Sequence, residues 1–419
     1  MKQFKVVLVN HSDTLGGASV VTMRLLKALI AAGVDARMVV FSKTSNNEFV
    51  SDLCSRNKRL FLFLKEHIDI FLHNGFNRKD MFKVSVASSG IDIINHPWIK
   101  EADIVCLNWI NQGMVSFDAI EHLVDAGKHI VWTMHDMWNL TGICHHAHEC
   151  MRYTEKCGNC QYVKKGRVEN DLSRRVWLQK KALYDKANIH FVAVSNWLAD
   201  KCRESSLLGN RALSVIHNAF PTDYYMTSST APIDKFNINY NKNIIVMGAA
   251  RLDDPIKGID YAVDAFNYIF DNHPEVANNC VAVLFGDIRD ASILSRIRLP
   301  FHHLGTVGDA KLLRQLYASS KVVLSTSLYE TLPGTLIEGE AAGCVPVSFG
   351  MGGQADIIDH KVNGYIAEYK SAKSIAEGII WALENAPSRK SQHENVEKRF
   401  DAKVIAQKYI DLFNSMLSQ

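Results

Sequence analysis

The sequence predicts an α/β protein of two domains, each built on a parallel sheet. Three observations carry this expectation. Strand-like apolar runs alternate with helix-period segments along the whole chain, the pattern of parallel sheets covered by helices. The length of 419 residues exceeds what one hydrophobic core ordinarily serves. An apolar fraction of 47% beside 22% charged residues is enough for large cores.

In the first half, strands are expected at residues 4–10, 36–41, 103–107, 129–133 and 190–194. Helices fill the gaps, notably Ser19 to Ala32, which Gly33 ends. The opening run to Asn10 is too short for the apolar segment of a signal peptide and reads as the first strand. Ser195 before Asn196-Trp197 reads as a helix N-cap. In the second half, strands near 244–249, 281–285, 321–325 and 345–347 repeat the pattern, with a helix from Asp309 to Tyr317. The expected boundary lies in Ile216-His-Asn-Ala-Phe-Pro221, and a polar stretch from Thr227 to Asn241 leads into the second domain. The last helix is expected from about Ala402 to Leu417.

Composition narrows the class. A net charge of +3 gives no reason to expect nucleic acid as a partner. No run of about 18 apolar residues is present to span a bilayer. A cytoplasmic protein is expected, with a peripheral place on the inner face of the membrane as an option.

Two segments of the second half carry chemistry. In the first, the strand Lys321–Thr326 leads to Tyr329-Glu330-Thr-Leu-Pro333-Gly-Thr-Leu-Ile-Glu338, and Gly343 can close the helix that Pro333 opens. A helix N-terminus after a strand is a ready anion site, because its unpaired N–H groups and its dipole face the ligand. One acid beside that site could hold sugar hydroxyls, and the other, about two turns on, a ribose. The alternative is a helix with solvated glutamates. In the second segment, the strand Asn243–Ala250 runs into Arg251-Leu-Asp-Asp-Pro-Ile-Lys257-Gly258. Two cations on a loop after a strand can clamp a diphosphate, Arg as a planar fork and Lys as a point charge.

Together these segments resemble the E-x7-E motif and the Arg…Lys-Gly pair of the family-4 retaining glycosyltransferases. The resemblance covers most of the chain and is strongest over 244–347. It implies the GT-B fold, two Rossmann-like domains facing a central cleft. It implies an N-terminal acceptor-side domain over 1–219 and a C-terminal nucleotide-sugar domain over 220–395. A helix within 396–419 would pack back on the first domain. In that family the first Glu faces the transferred sugar and the second binds the ribose, so Glu330 and Glu338 take these roles. Arg251 and Lys257 would neutralise the leaving diphosphate, and Gly334, Thr335 and Leu336 would present backbone amides. Pro333 departs from the family, which often has Gly there. Val307 would read the nucleotide base through the backbone, or serve only a strand-to-helix turn. The glycines at 350, 352 and 353 would border the donor.

In the first domain, Gly16-Gly17 between the first strand and helix would sit over the diphosphate and the acceptor. Taken alone, the pair is just as well a turn. His135-Asp136 follows a strand at the end where α/β ligands bind. The resemblance puts His135 near the donor sugar; a hydrogen-bonded loop histidine is the alternative. The resemblance further extends to a bacterial polysaccharide-biosynthesis type that carries a four-cysteine insert, about 142–165 here.

That insert holds Cys144, Cys150, Cys157 and Cys160, with His145, His146 and His148 among them. A structural zinc clip, free thiols and disulfides are the three readings, the last unusual in a reducing compartment. A basic and aromatic run, Arg56 to Lys65, is either an interfacial membrane helix or a buried helix with snorkelling lysines. Lys164, Lys165, Arg167, Arg174, Arg175, Lys180 and Lys181 with Trp177 form a second basic stretch of the same ambiguity.

The expected function is transfer of a hexose-type sugar from a UDP- or GDP-linked donor to a glycan or lipid-linked acceptor in surface polysaccharide synthesis. Anomeric configuration would be retained and no catalytic metal or other cofactor required. A nucleotide-sugar epimerase of the same fold and a non-catalytic sugar-nucleotide binder are the other classes. The epimerase would turn over donor without acceptor, and the binder would release no free diphosphate. A dinucleotide dehydrogenase is disfavoured, since no Gly-x-Gly-x-x-Gly follows the first strand.

Overall fold

The computed structural model describes residues 4–78, 80–163, 169–226, 238 and 241–418. The polar stretch expected between Thr227 and Asn241 thus lies largely outside the described residues, as do Lys164, Lys165 and Arg167. The chain forms two compact units, 1–219 with 405–419, and 220–404.

The first unit is a seven-stranded sheet of β1 (Lys5–Ser12), β2 (Asp35–Ser42), β3 (Val50–Asp52), β4 (Ile104–Leu107), β5 (His129–Met134), β6 (Ile189–Ala193) and β7 (Leu213–Val215). Its order is β3-β2-β1-β4-β5-β6-β7, and every neighbouring pair is parallel. The helices are α1 (Gly17–Ala31), α2 (Arg56–His73), α3 (Pro97–Glu101), α4 (Phe117–Asp125), α5 (Leu172–Lys186) and α6 (Asn196–Glu204). Strands such as β4 are apolar throughout and buried throughout, as sheets covered on both faces require. Ser195 caps α6 by accepting from Leu198 N–H at 3.2 Å.

The second unit begins with α7 (Thr222–Tyr225). Its sheet has six strands: β8 (Asn243–Arg251), β9 (Cys280–Asp287), β10 (Phe301–His303), β11 (Val322–Ser325), β12 (Val345–Phe349) and β13 (Tyr365–Ala367). The order is β10-β9-β8-β11-β12-β13, again all parallel. Around it lie α8 (Ile259–Asn272), α9 (Pro274–Asn278), α10 (Ala310–Ser319), α11 (Gly334–Ala341), α12 (Ala372–Glu384) and α13 (Arg389–Phe400). Ile245, Met247, Phe266, Leu284, Val347 and Ile379 belong to one buried core. Each such side chain contributes about 1.5–3 kcal/mol through removal from water.

The last helix, α14 (Ala402–Leu417), belongs to the first unit from Ile405 onward. Its Tyr409 hydroxyl lies 2.9 Å from Thr133 Oγ1 at the end of β5. Residues 396–400 are the end of α13, so the return to the first unit begins later than 396.

Candidate functional site

The second unit gathers its polar groups where β8, β11 and α11 meet. At the end of β8, Arg251 turns to two acids that sequence reasoning did not count. Its Nε lies 3.4 Å from Asp253 Oδ1 and its Nη2 3.1 Å from Asp254 Oδ2. Asp254 also accepts from Ile256 N–H at 3.2 Å and so starts the turn that carries Lys257. Gly258 ends that turn at φ +61, and a Cβ there would stand 2.3 Å from Thr326 O. Only glycine fits this close approach.

Main-chain bonds then lay this turn against the segment after β11. Leu328 N–H donates to Ile256 O at 2.8 Å, and Thr326 Oγ1 donates to Lys257 O at 3.0 Å. Lys257 Nζ is thereby brought to Glu330 Oε1, with which it forms an ion pair. Both side chains stay partly open to solvent, 28% and 22% exposed. The loop of Gly352 and Gly353 is stitched to the same segment, since Gly353 N–H donates to Glu330 O at 3.0 Å.

Pro333 stands at the cap position of α11 and offers no side-chain bond. The first amides of that helix, at Gly334, Thr335 and Leu336, lack an intrahelical acceptor by geometry. Glu338 lies one turn further and is half-buried. Glu340 is fully buried, accepting from Asn363 at 2.7 Å and Asn395 at 2.6 Å. Burial pushes its carboxyl up to about 7 against these bonds. It is a packing residue that the spacing pattern did not single out. Val307 is half-buried in the loop before α10, next to Gly305, whose carbonyl accepts from Gly286 N–H at 2.8 Å.

In the first unit, Gly16 and Gly17 are exposed, Gly16 as the cap of α1 at φ +89 and Gly17 as its first residue. His135 stands just beyond β5, with Nε2 3.0 Å from Asn108 Oδ1 beyond β4. Burial drops its pKa to about 4, against a small opposing pull from Asp136. It is therefore neutral near pH 7. An amide oxygen only accepts, so the proton sits on Nε2. His135 lines a pocket with Thr22, Asn108, Thr133, His217 and Asn218.

Asp136 has a different job. It accepts from Trp109 Nε1 at 2.9 Å, His145 Nδ1 at 2.7 Å and Trp138 N–H at 2.8 Å. Burial pushes its carboxyl up, but His145 and these bonds outweigh it and hold the pKa at about 2. The His-Asp pair thus splits between a pocket and the anchoring of the cysteine insert.

Within the insert, burial first and then the nearness of Cys160, Cys157 and Cys150 push the Cys144 thiol up. Gly142 N–H donates to Cys157 Sγ at 3.0 Å. Soft sulfur donors with an amide N–H on one of them fit zinc in kind. No three of the sulfurs lie within 4.8 Å of one another. Lys180 is fully buried beside them, donating to Trp138 O and Thr141 O and lying 3.6 Å from the Trp138 ring centre. Burial lowers its pKa to about 7, while Cys157, Cys144 and Asp136 oppose that. Of the two readings of the second basic stretch, the structure favours a half-buried helix, with Arg175 and Lys181 exposed but the Lys180 head taken inside rather than snorkelling to solvent. Lys180, Arg174 and Trp177 of α5 are buried.

The first basic run behaves otherwise. It opens α2, whose residues Leu60, Leu64, Ile68 and Leu72 form a stripe at steps of four, 46–56% exposed. Phe61 beside it is 64% exposed. On another face, Glu66 is fully buried and accepts from Val86 N–H at 2.8 Å, Ala87 N–H at 3.2 Å and Gly113 N–H at 2.5 Å. An apolar pocket lies between α2 and the ends of β1 and β2, lined by His11, Leu15, Phe41, Phe63, Arg56 and Arg59. Among the described residues, no helix is long and apolar enough to cross a membrane.

Comparison with known proteins places this geometry. The two parallel α/β sheets, of seven and six strands, match structures of GT-B glycosyltransferases. A glycosyltransferase from Rickettsia africae ESF-5 superposes with a TM-score of 0.67 at 17% identity, over 100% of this chain and 99% of that one. HepE of Anabaena, solved with UDP and glucose, gives 0.63 at 18% identity, over 98% and 100%. Residues 230–399 match the family described as glycosyl transferases group 1. An uncharacterized glycosyltransferase of Methanocaldococcus jannaschii is 34% identical over 147 residues, 34% of this chain. The match spans only 36% of that relative's length. Together these likenesses show the GT-B fold, with a glycosyl transferases group 1 segment in the second unit.

Proposed function

We propose that this chain is a family-4 retaining glycosyltransferase that moves a hexose-type sugar from a UDP- or GDP-linked donor to a glycan or lipid-linked acceptor. The observation that carries the reading is the Lys257–Glu330 pair, set before the uncapped start of α11 and inside the matched segment. As the bond from sugar C1 to the diphosphate oxygen breaks, the acceptor hydroxyl oxygen bonds to C1 and gives up its proton to the departing diphosphate, on which negative charge collects. Lys257, Arg251 and the α11 amides stabilise that charge, and fixed donors of this kind are the largest single contribution in many enzymes. On donor binding Lys257 exchanges its carboxylate partner for phosphate, and Glu330 is released to sugar hydroxyls. Glu338 binds the ribose, Val307 lies by the base, and Gly16 and Gly17 approach the diphosphate. Neutral His135 donates through Nε2 to a donor-sugar oxygen in place of Asn108.

Separating the two acids tests the assignment. Glu338→Gln is expected to weaken the free nucleoside diphosphate and the intact donor alike. Glu330→Gln is expected to spare the free diphosphate and reduce turnover and sugar discrimination. The reading fails if Glu330→Gln loses the free diphosphate as badly. A screen of UDP-, GDP- and dTDP-sugars for binding and slow hydrolysis identifies the donor.

In this reading the four cysteines draw together from their present spacing to hold a structural zinc that orders the insert, and catalysis proceeds without a metal. Protein purified without affinity histidines should carry about one zinc per chain, and its removal should lower stability. Four titratable thiols and no zinc would reject the clip. Loss of turnover in EDTA with rescue by Mg²⁺ would reject the metal-independent mechanism.

A cytoplasmic place against the inner membrane face is part of the same proposal. The α2 stripe and the arginine-rimmed apolar pocket beside it support an acceptor with an apolar chain and an anionic head. Leu64→Glu with Ile68→Glu should cut binding to vesicles containing anionic lipid at least tenfold, since burying one such side chain is worth about 1.5–3 kcal/mol. Unchanged flotation with vesicles would remove the membrane from the reading.

A further inference from the structure

The chain enters the second unit at Phe220 and nears its exit through Phe400–Ala402, and these two passages are zipped together. Phe220 N–H donates to Phe400 O at 2.9 Å, and Ala402 N–H donates to Phe220 O at 2.9 Å. Thr222 Oγ1 donates to Asp401 Oδ2 at 2.6 Å. The zipper sets the short α7 against α13. Asp223 comes from α7, and His393 and Glu397, one turn apart, from α13. One ligand atom of each lies within 4.8 Å of the other two.

Two features make this more than a surface acidic group. His393 is only 5% exposed, and its Nδ1 lies 2.9 Å from Ala341 O. A carbonyl only accepts, so Nδ1 carries the proton, and in the neutral ring Nε2 is the nitrogen that holds the lone pair. No partner is bonded to Nε2 among the described residues. Holding one ring nitrogen on a backbone carbonyl is how proteins orient a metal-binding histidine. The carboxylates, for their part, form no ion pair with Lys or Arg among the described residues, although both are exposed. Two like charges this close repel by about 1 kcal/mol even in water. Two carboxylates and a ring nitrogen of a buried imidazole converge here, with neither acid paired to a Lys or Arg among the described residues.

We propose that Asp223, His393 and Glu397 bind a first-row divalent cation, zinc foremost, which clasps α7 to α13. Imidazole and carboxylate together suit zinc, at ligand distances of about 2.0–2.2 Å. Reaching those distances asks only for rotation of two exposed carboxylate side chains, with His393 as the fixed member. The site shares no residue with the donor machinery, and its donors are harder than the thiols of the cysteine insert.

Cobalt as a stand-in for zinc tests the proposal on the full chain. Thiolate-bound Co²⁺ absorbs intensely in the near ultraviolet, whereas a His–carboxylate site gives only weak visible bands, so one titration separates the two. The weak bands should saturate at about one ion per chain. They should vanish in Asp223→Asn with Glu397→Gln, a pair of exposed substitutions that leaves the fold intact. His393→Gln should lose them too. Zn²⁺ should also raise the thermal midpoint more in the unaltered chain than in the double variant. Absence of the weak bands in the unaltered chain, or equal bands in the double variant, overturns the site.

Discussion

Arg251→Ala and Lys257→Ala are each expected to lower turnover and nucleoside diphosphate affinity at least tenfold, about 1.4 kcal/mol. Each removes one of the two cations assigned to the leaving group. The losses should differ in character. Lys257 is the ion-pair partner of Glu330, so its removal leaves a half-buried carboxylate facing an incoming anion. Arg251 is already engaged by Asp253 and Asp254, and its removal leaves two acids near the diphosphate. Lys257→Ala should therefore affect both diphosphate binding and sugar discrimination. Arg251→Ala should act mainly on the diphosphate. Near-normal donor kinetics in both variants would sink the assignment.

Gly353→Ala is expected to destabilise the second unit by about 1–3 kcal/mol, the usual range for overpacking, and to reduce turnover with it. A Cβ on Gly353 would lie 2.0 Å from Thr331 O and 2.9 Å from Thr331 C. Those are main-chain atoms with no rotamer to yield. The loop would have to lift off, breaking the bond from Gly353 N–H to Glu330 O and shifting Glu330 itself. Gly308→Ala is the matched control, because a Cβ there meets nothing within 4 Å. Thermal unfolding of the two variants side by side decides the matter. Equal midpoints would show that the loop gives way at no cost.

The long strands were legible because fully apolar runs such as Ile104–Leu107 have no other use in a chain of this kind. What escaped were β3, β7, β10 and β13, each of three residues and each at a sheet edge. Three residues carry no periodicity, and an edge strand is half-exposed, so neither signal rises above a loop. Glu330 and Lys257 could be singled out separately from their spacing, but their meeting could not. It depends on main-chain bonds between segments some 70 residues apart. Asp253 and Asp254 were passed over because the eye for a diphosphate looks for cations. Lys180 misled because a lysine among lysines reads as solvated, and only the three-dimensional path of α5 takes it inside.

The half of the site built on Lys257 and Glu330 is tied together almost entirely by peptide groups. Ile256 O, Lys257 O and Glu330 O are its acceptors, and the amides of Leu328 and Gly353 are two of its donors. Peptide groups are the same whatever side chain they carry. Away from its glycines and Thr326, whose hydroxyl is the remaining donor, this region can therefore change residue type widely without losing its shape. A change in segment length is another matter. One residue deleted between Ser327 and Glu330 would take every later peptide out of phase with its partner. Sequence drift in relatives of this chain should accordingly alter letters here far more often than spacing.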